Sequence, residues 1–195
     1  MMKISAHVFR LRQARLLAMV LLLAGRAAGA ASMHLAWSPV ADGDLGGYRI
    51  YYGTSPGSYT KVVDTGRLTD VMLSGLADCT RYYFAAKAYD TSGNQSLVFS
   101  NEIAGLPSPL VTAVSPLSAE RGQSLTVTVT GLNIERGARA VFSDRISVSS
   151  TTYVACNQVR ATIVVAGDAS LARQSVSIVN PDGSVGSPDG KVYQK

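Results

Sequence analysis

The stretch "SLTVTVTGLN", residues 124–133, alternates Val127 and Val129 with Thr126, Thr128 and Thr130 before Gly131 breaks the run. Successive side chains of a strand point to opposite faces, so this spacing gives one apolar face and one hydroxyl-bearing face. Short runs of the same kind recur along the chain, bounded by Gly, Pro, Asn and Asp, and no amphipathic helical period appears after residue 30. A series of short alternating strands separated by turn residues predicts an all-β sandwich architecture.

The first thirty residues follow a different pattern. Lys3, Arg10, Arg12 and Arg15 lead into "LLAMVLLLAG", which is followed by "RAAGA" with the small-residue triplet Ala28-Gly29-Ala30. A basic head, a short apolar run and a small-residue exit describe a secretory signal peptide cleaved near Ala31. The apolar run falls short of the roughly 20 residues that a spanning helix needs, so no membrane span is expected after cleavage. No cysteine follows the run to serve as a lipid-anchor site. The expected location is therefore secreted, periplasmic or extracellular.

Cleavage also removes the chain's basic character. The whole sequence has 18 Lys+Arg against 13 Asp+Glu and a net charge of +5. Five of the basic residues and none of the acidic ones precede Ala31, which leaves 13 of each sign in the mature part. Lys and Arg that neutralise phosphates supply most of nucleic-acid affinity, so a neutral exported chain argues against a nucleic-acid partner.

The first group of strands reads "LAWSP", "GYRIYYG", "YTKVVD", "DVMLSGL", "RYYFAAKAYD" and "SNEIAGL", with turns at "ADGDLGG", "GTSPGS" and "DTSGN". Trp37 in the "HLAW" strand, the Y-x-I-x-Y strand, Leu76 followed by Thr80 and Tyr82, and the "AYDTSGNQS…SNE" ending resemble a fibronectin type III domain over residues 32–106. The family's first strand is short or absent here, because few residues separate the cleavage point from "HLAW". After the proline-rich joint "LPSPL", the V-S-P opening, "TVTGLNI", the Y-V-x-x-x-Q-V-x-A-T-I segment and "VNPDG" resemble an IPT/TIG immunoglobulin-like domain over residues 108–195. This part reads as "RAVFS", "RISVS", "TTYVAC", "VRATIVV" and "QSVSIVN". The resemblance implies two consecutive immunoglobulin-like sandwiches, and such modules serve many functions.

The residues give little support to catalysis. His34 is the one histidine of the mature part, and no nucleophile motif accompanies it. One histidine and two distant cysteines do not make a zinc site. Asp42 and Asp44 in "ADGDLGG" fall short of the six to eight oxygens that calcium takes. No cofactor and no metal are expected, and the chain reads as non-enzymatic. An unrecognised carbohydrate-active enzyme would need a deep carboxylate-lined cleft, of which the sequence gives no hint.

The tyrosines divide by face. The fibronectin-type resemblance gives Tyr82 the place of a tyrosine corner, with its ring inward. Tyr83, Lys87 and Tyr89 then point outward, as do Arg49 and Tyr51 on the neighbouring strand. Tyr51 and Tyr83, flanked by Arg49 and Lys87, form the candidate ligand surface, an aromatic platform for an extracellular polysaccharide or a protein partner. The alternative is that these tyrosines are there because the residue suits a half-buried pleated surface.

Two cysteines remain, Cys79 and Cys156. In the sandwich that the resemblance implies, Cys79 lies in the connection between the fifth and sixth strands, at the exit pole of its module. Cys156 precedes the third strand from the end of its own module, at the entry pole. Topology thus brings both to the junction, and an exported chain with an even cysteine count favours pairing. A Cys79–Cys156 disulfide joining the modules is expected. The function that follows is non-catalytic adhesion or binding, with a structural subunit of a surface assembly as the alternative.

Overall fold

In the computed structural model the described residues are 18–19, 31–142, 145–170 and 174–187. Apart from Ala18 and Met19, residues 1–30, expected to be the signal peptide, lie outside them, as do residues from 188 onward, which include most of "SPDG".

The described residues form strands and turns, with no helix among them. The first seven strands are β1 (Ala18–Met19), β2 (Ala31–Trp37), β3 (Leu45–Gly53), β4 (Lys61–Gly66), β5 (Asp70–Leu76), β6 (Tyr82–Asp90) and β7 (Ile103–Gly105). The next seven are β8 (Leu110–Ser115), β9 (Ser124–Leu132), β10 (Arg139–Phe142), β11 (Ile146–Ala155), β12 (Gln158–Val165), β13 (Val176–Val179) and β14 (Val185–Gly186). They make four sheets, ordered β1-β2-β5, β4-β3-β6-β7, β11-β12-β9-β8 and β10-β13-β14. The described residues are thus all-β, as the alternation predicts.

By compactness the chain divides into two units. One holds Ala36–Val71 and Tyr82–Ala104 together with β1; the other holds Met72–Arg81, the chain from Gly105 onward, and the start of β2.

In the first unit, β3 and β6 are paired antiparallel over nearly their whole length. Alternation turns Tyr48, Ile50 and Tyr52 of β3, and Tyr82, Phe84, Ala86 and Ala88 of β6, to the buried side. Trp37 packs edge-on against Tyr48 with ring centroids 5.6 Å apart, and Tyr52 stacks on Phe84 at 5.8 Å. Tyr48 also accepts the Val40 N–H on its hydroxyl, at 2.8 Å, so its polar tip is satisfied although the residue is buried. Tyr82 is buried, with its ring 6.3 Å from both Tyr52 and Phe84.

In the second unit the apolar face of "LTVTVTG" is the core. Val127, Val129, Val159, Ala161 and Ile163 pack in one cluster with Ala140, Phe142, Val176 and Ile178. The sequence reading "RISVS" and "TTYVAC" as two strands is corrected here: β11 runs unbroken from Ile146 to Ala155. Its pairing with β12 shifts register between Val148 and Ser150 and again between Tyr153 and Ala155. The break in alternation is therefore a pair of bulges, each absorbing one extra residue, and not a turn.

Candidate binding surface

The outward face of β3 and β6 carries the four residues singled out for recognition. Arg49 stands opposite Lys87, Tyr51 opposite Ala85, and Gly53 opposite Tyr83. Residues paired in an antiparallel ladder share a face, so Arg49, Tyr51, Tyr83 and Lys87 lie together, each half-buried.

The face is not the bare aromatic platform that alternation alone implies. The segment after β6 returns along that strand, with Ser96 N–H donating to the Ala88 carbonyl at 2.8 Å and Ser100 N–H to the Ala86 carbonyl at 2.9 Å. This brings Phe99 over the sheet. Its ring meets Tyr51 edge-to-face at 5.1 Å and Tyr59 at 5.2 Å, and the Lys87 ammonium sits 4.7 Å from its centroid. Tyr51 donates its hydroxyl hydrogen to Gln95 Oε1 at 2.7 Å. Ala85, on the same face, is 3% exposed.

The turn before β4 completes the cluster. At Gly53 a Cβ would run into the Ser58 carbonyl, so glycine permits the tight return that places Tyr59 beside Phe99. Glu102 then accepts two hydrogen bonds at 2.7 Å, from the Gly57 N–H and from the Tyr59 hydroxyl. Burial, followed by that carboxylate, pushes the Tyr59 phenol up to about 12. Arg49 is held as well: its Nε donates to Asp64 Oδ2 at 3.1 Å and its guanidinium lies 4.8 Å from the Tyr89 ring centroid. Asp64 also accepts the Gly66 N–H and the Tyr89 hydroxyl, and with Gly66 first these contacts hold its carboxyl below the usual range.

The charged groups of this face are thus engaged with one another, and large apolar side chains meet solvent beside them. Leu97 is 85% exposed, Val98 69% and Phe99 42%, and Val62, opposite Tyr51 on β4, is 53% exposed. Three consecutive large apolar side chains turned outward are the unusual feature of this surface. The sequence reading assigned no role to "SLVFS", residues 96–100, and gave no sign that it folds back over the sheet.

The two cysteines are bonded, with Cα atoms 5.7 Å apart. Cys79 sits in the turn after β5 and Cys156 in the β11–β12 turn, both in the second compact unit. Beside them is a residue the sequence reading passed over. Asn133, fully buried at the end of β9, has a positive φ of 58°. Its Oδ1 accepts the Cys79 N–H at 2.6 Å, and its Nδ2 donates to Asp78 Oδ1 at 2.8 Å and to the Ser108 carbonyl at 3.0 Å. Its own carbonyl accepts from Asn180 Nδ2 at 2.9 Å, while the Ile134 N–H donates to the Cys156 carbonyl at 2.8 Å. One side chain therefore joins the Cys79 turn, the segment after β7 and the start of the β9–β10 connection. The available signal was an Asn directly after a strand-ending Gly-Leu, since Asn tolerates the left-handed region.

Among the described residues no group of three or more His, Cys, Asp or Glu side chains is placed to hold a metal ion. The Asp44 N–H donates to Asp42 Oδ1 at 3.5 Å, and the adjoining Asp42 carboxyl pushes the Asp44 carboxyl above its ordinary range. His34 is half-buried on β2.

No family model and no curated protein matches the chain. Solved structures that resemble it include the following three. The fibronectin domains FN1–FN3 of chicken contactin-1 align over 84% of this chain and 60% of that one, at 16% identity and a TM-score of 0.37. Titin kinase with its flanking domains aligns over 69% of this chain and 35% of that one, at 11% identity and a TM-score of 0.28. A protein of a Bacteroides ovatus mixed-linkage glucan utilization locus, in complex with a mixed-linkage heptasaccharide, aligns over 88% of this chain and 45% of that one, at 12% identity and a TM-score of 0.27. The chain spans less than two thirds of each of these, and the similarities are too weak to carry a functional argument.

Proposed function

We propose that this protein is an exported, non-catalytic binding protein that docks a protein partner through the Phe99 surface. In this reading residues 32–106 are the fibronectin type III-like part and residues 108–195 the IPT/TIG-like part. The observation that carries it is the outward exposure of Leu97, Val98 and Phe99 on a face whose cations and carboxylates already have partners. Each such side chain left in water forgoes about 1.5–3 kcal/mol of burial, which docking recovers. A polysaccharide is the weaker occupant. Sugar binding calls for an open ring face with free polar groups to orient hydroxyls, whereas Phe99 covers Tyr51, Gln95 takes the Tyr51 hydroxyl, and Asp64 holds Arg49. The second reading, a subunit of a surface assembly, draws on the same apolar residues, because exposed patches of this kind also mark permanent interfaces.

The test places a photo-crosslinking residue at Val98 of the exported protein. A discrete adduct that disappears in the Leu97→Ser variant supports the docking surface. If irradiation yields no adduct, and glycan retention is lost on replacing Tyr51 and Tyr83 with alanine, the ligand is a polysaccharide. An adduct consisting solely of a second copy selects the assembly reading.

A further inference from the structure

The sheet β11-β12-β9-β8 lies within the second compact unit. Val127, Val129, Val159, Ala161 and Ile163 turn to its core, so alternation puts Thr128, Arg160 and Thr162 on the outward face. Cross-strand pairing sets these residues in rows. Thr152 faces Arg160, Arg160 faces Thr128, and Thr128 faces Ser115. The next row centres on Thr162, and the one after it on Val164, which faces Ser147.

Arg160 is the one charged residue in these four strands, and it is exposed. Opposite charges placed across strands stabilise a sheet, yet both neighbours of this cation are threonines. Among the described residues its guanidinium has no ion-pair or hydrogen-bond partner, and the hydroxyls of Thr128, Thr152 and Thr162 have none either. Strand preference accounts for the threonines. It does not account for an uncompensated cation between two of them.

Beyond Thr162 the face opens into a hollow of about 350 Å³, lined by Ser147 and Val164 with Arg145, Ile146 and Ala166. Arg145 is already bonded to Asp168 at 2.8 Å. Val164 lies four residues from Arg160, which is roughly 13 Å along the strand.

We propose that this face binds an acidic polysaccharide laid along β12, with one unit in the hollow and an oxyanion on Arg160. The oxyanion is a uronate carboxylate or a sulfate, either of which a guanidinium fork meets with two parallel bonds. The Thr128 and Thr152 hydroxyls stand one strand spacing to each side, about 4.8 Å, and can donate to or accept from sugar hydroxyls. A small free anion is the poorer occupant. One exposed ion pair contributes little, so affinity calls for a ligand long enough to use the hollow and the cation together. A neutral sugar would need an open aromatic ring, and Tyr153, the one aromatic of these strands, packs against the core. A protein partner would find none of the aromatic or methionine side chains that enrich interface cores. The proposal does not depend on what docks at Phe99.

The experiment measures binding of the exported protein to immobilised polygalacturonate, dextran sulfate, unmodified dextran and poly-glutamate at one ionic strength. We expect retention on an acidic polysaccharide, polygalacturonate identifying a carboxylate and dextran sulfate a sulfate. Arg160→Gln should weaken it by about tenfold or more, the loss of a charge-assisted pair, with the unfolding midpoint unchanged. Arg139→Gln, at another exposed arginine of the same unit, should have little effect. Thr128→Val combined with Thr152→Val keeps the charge and should weaken retention by about threefold or more. No retention on either acidic polysaccharide overturns the proposal, as does equal weakening by Arg160→Gln and Arg139→Gln. If the threonine double variant binds as the wild type does, the placement along this row is wrong. Arg160-dependent retention on poly-glutamate gives the face to an acidic protein, and equal retention on unmodified dextran removes the oxyanion; either result overturns the proposal too.

Discussion

Asn133 Oδ1 accepts the backbone N–H of Cys79 at 2.6 Å, so the turn that carries one half of the disulfide is held by a buried amide 54 residues further along the chain. Cys79 itself has a positive φ of 55°, a conformation that a non-glycine residue keeps only where its surroundings impose it. The Asn133 bond and the Cys156 bond are the two constraints that impose it here.

Replacing Asn133 with glycine preserves the backbone freedom of that position and removes only the side chain. The Cys79 N–H and the Ser108 carbonyl then lose their partner in a half-buried setting. Unsatisfied groups of this kind cost roughly 1–3 kcal/mol each, and we expect a loss of about 2 kcal/mol or more in urea unfolding. Asn133→Ala should be worse by about another 1 kcal/mol, because a Cβ in the left-handed region adds strain. Equal stability of the two variants would show that backbone conformation plays no part.

The disulfide closes a sequence separation of 77 residues. In the chain-entropy model a loop of this size contributes about 4 kcal/mol, chiefly by restricting the unfolded chain. The double variant Cys79→Ser, Cys156→Ser should lose about that much in urea unfolding, and the wild type in reductant should match it. A loss under about 1 kcal/mol would mean that the Asn133 contacts already hold the turn and the covalent bond adds little.

The strands were legible because alternation is a local property. Val127 and Val129 announce a buried face without knowledge of any partner strand, and Tyr48, Ile50 and Tyr52 do the same on β3. The disulfide could be anticipated because the sandwich that the sequence resembles assigns each turn to a pole. Phe99 could not. Its position over Tyr51 depends on a segment that bonds to the β6 backbone through Ser96 and Ser100, and nothing periodic marks such a return. Asn133 escaped notice for a related reason: its partners Asp78, Cys79 and Ser108 are distant in sequence, and a buried polar hub has meaning only after the chain has folded.

Tyr59 supplies a pH-dependent signature. Its phenol is raised from an ordinary value near 10 to about 12 by burial and by the Glu102 carboxylate. The neutral form is the one stabilised in the folded chain. Its contribution is therefore complete below the unfolded value and disappears as pH rises through the folded one. The stability difference between the wild type and Tyr59→Phe should stay level up to about pH 10 and shrink toward zero by about pH 12, since other titrating groups are common to both proteins. A difference that does not change over this range would show that the Glu102 bond fails to form in solution.

Leu97 and Phe99 lie two residues apart and should differ in what their replacement costs the fold. Phe99 packs on Tyr51 and Tyr59 and lies beneath the Lys87 ammonium, so it belongs to the fold as well as to the surface. Leu97 is 85% exposed and contributes almost nothing to the folded chain by burial. Phe99→Ala removes two aromatic contacts worth about 0.5–1.5 kcal/mol each beyond area burial, so a loss of roughly 2 kcal/mol is expected. Leu97→Ser should fall within about 0.5 kcal/mol of wild type, as exposed substitutions do. In the crosslinking assay both should lose the partner adduct, but only Phe99→Ala should also lower the unfolding midpoint. If Leu97→Ser keeps both stability and adduct, then Leu97 has no role in docking, and the contact surface contracts to the aromatic cluster around Phe99.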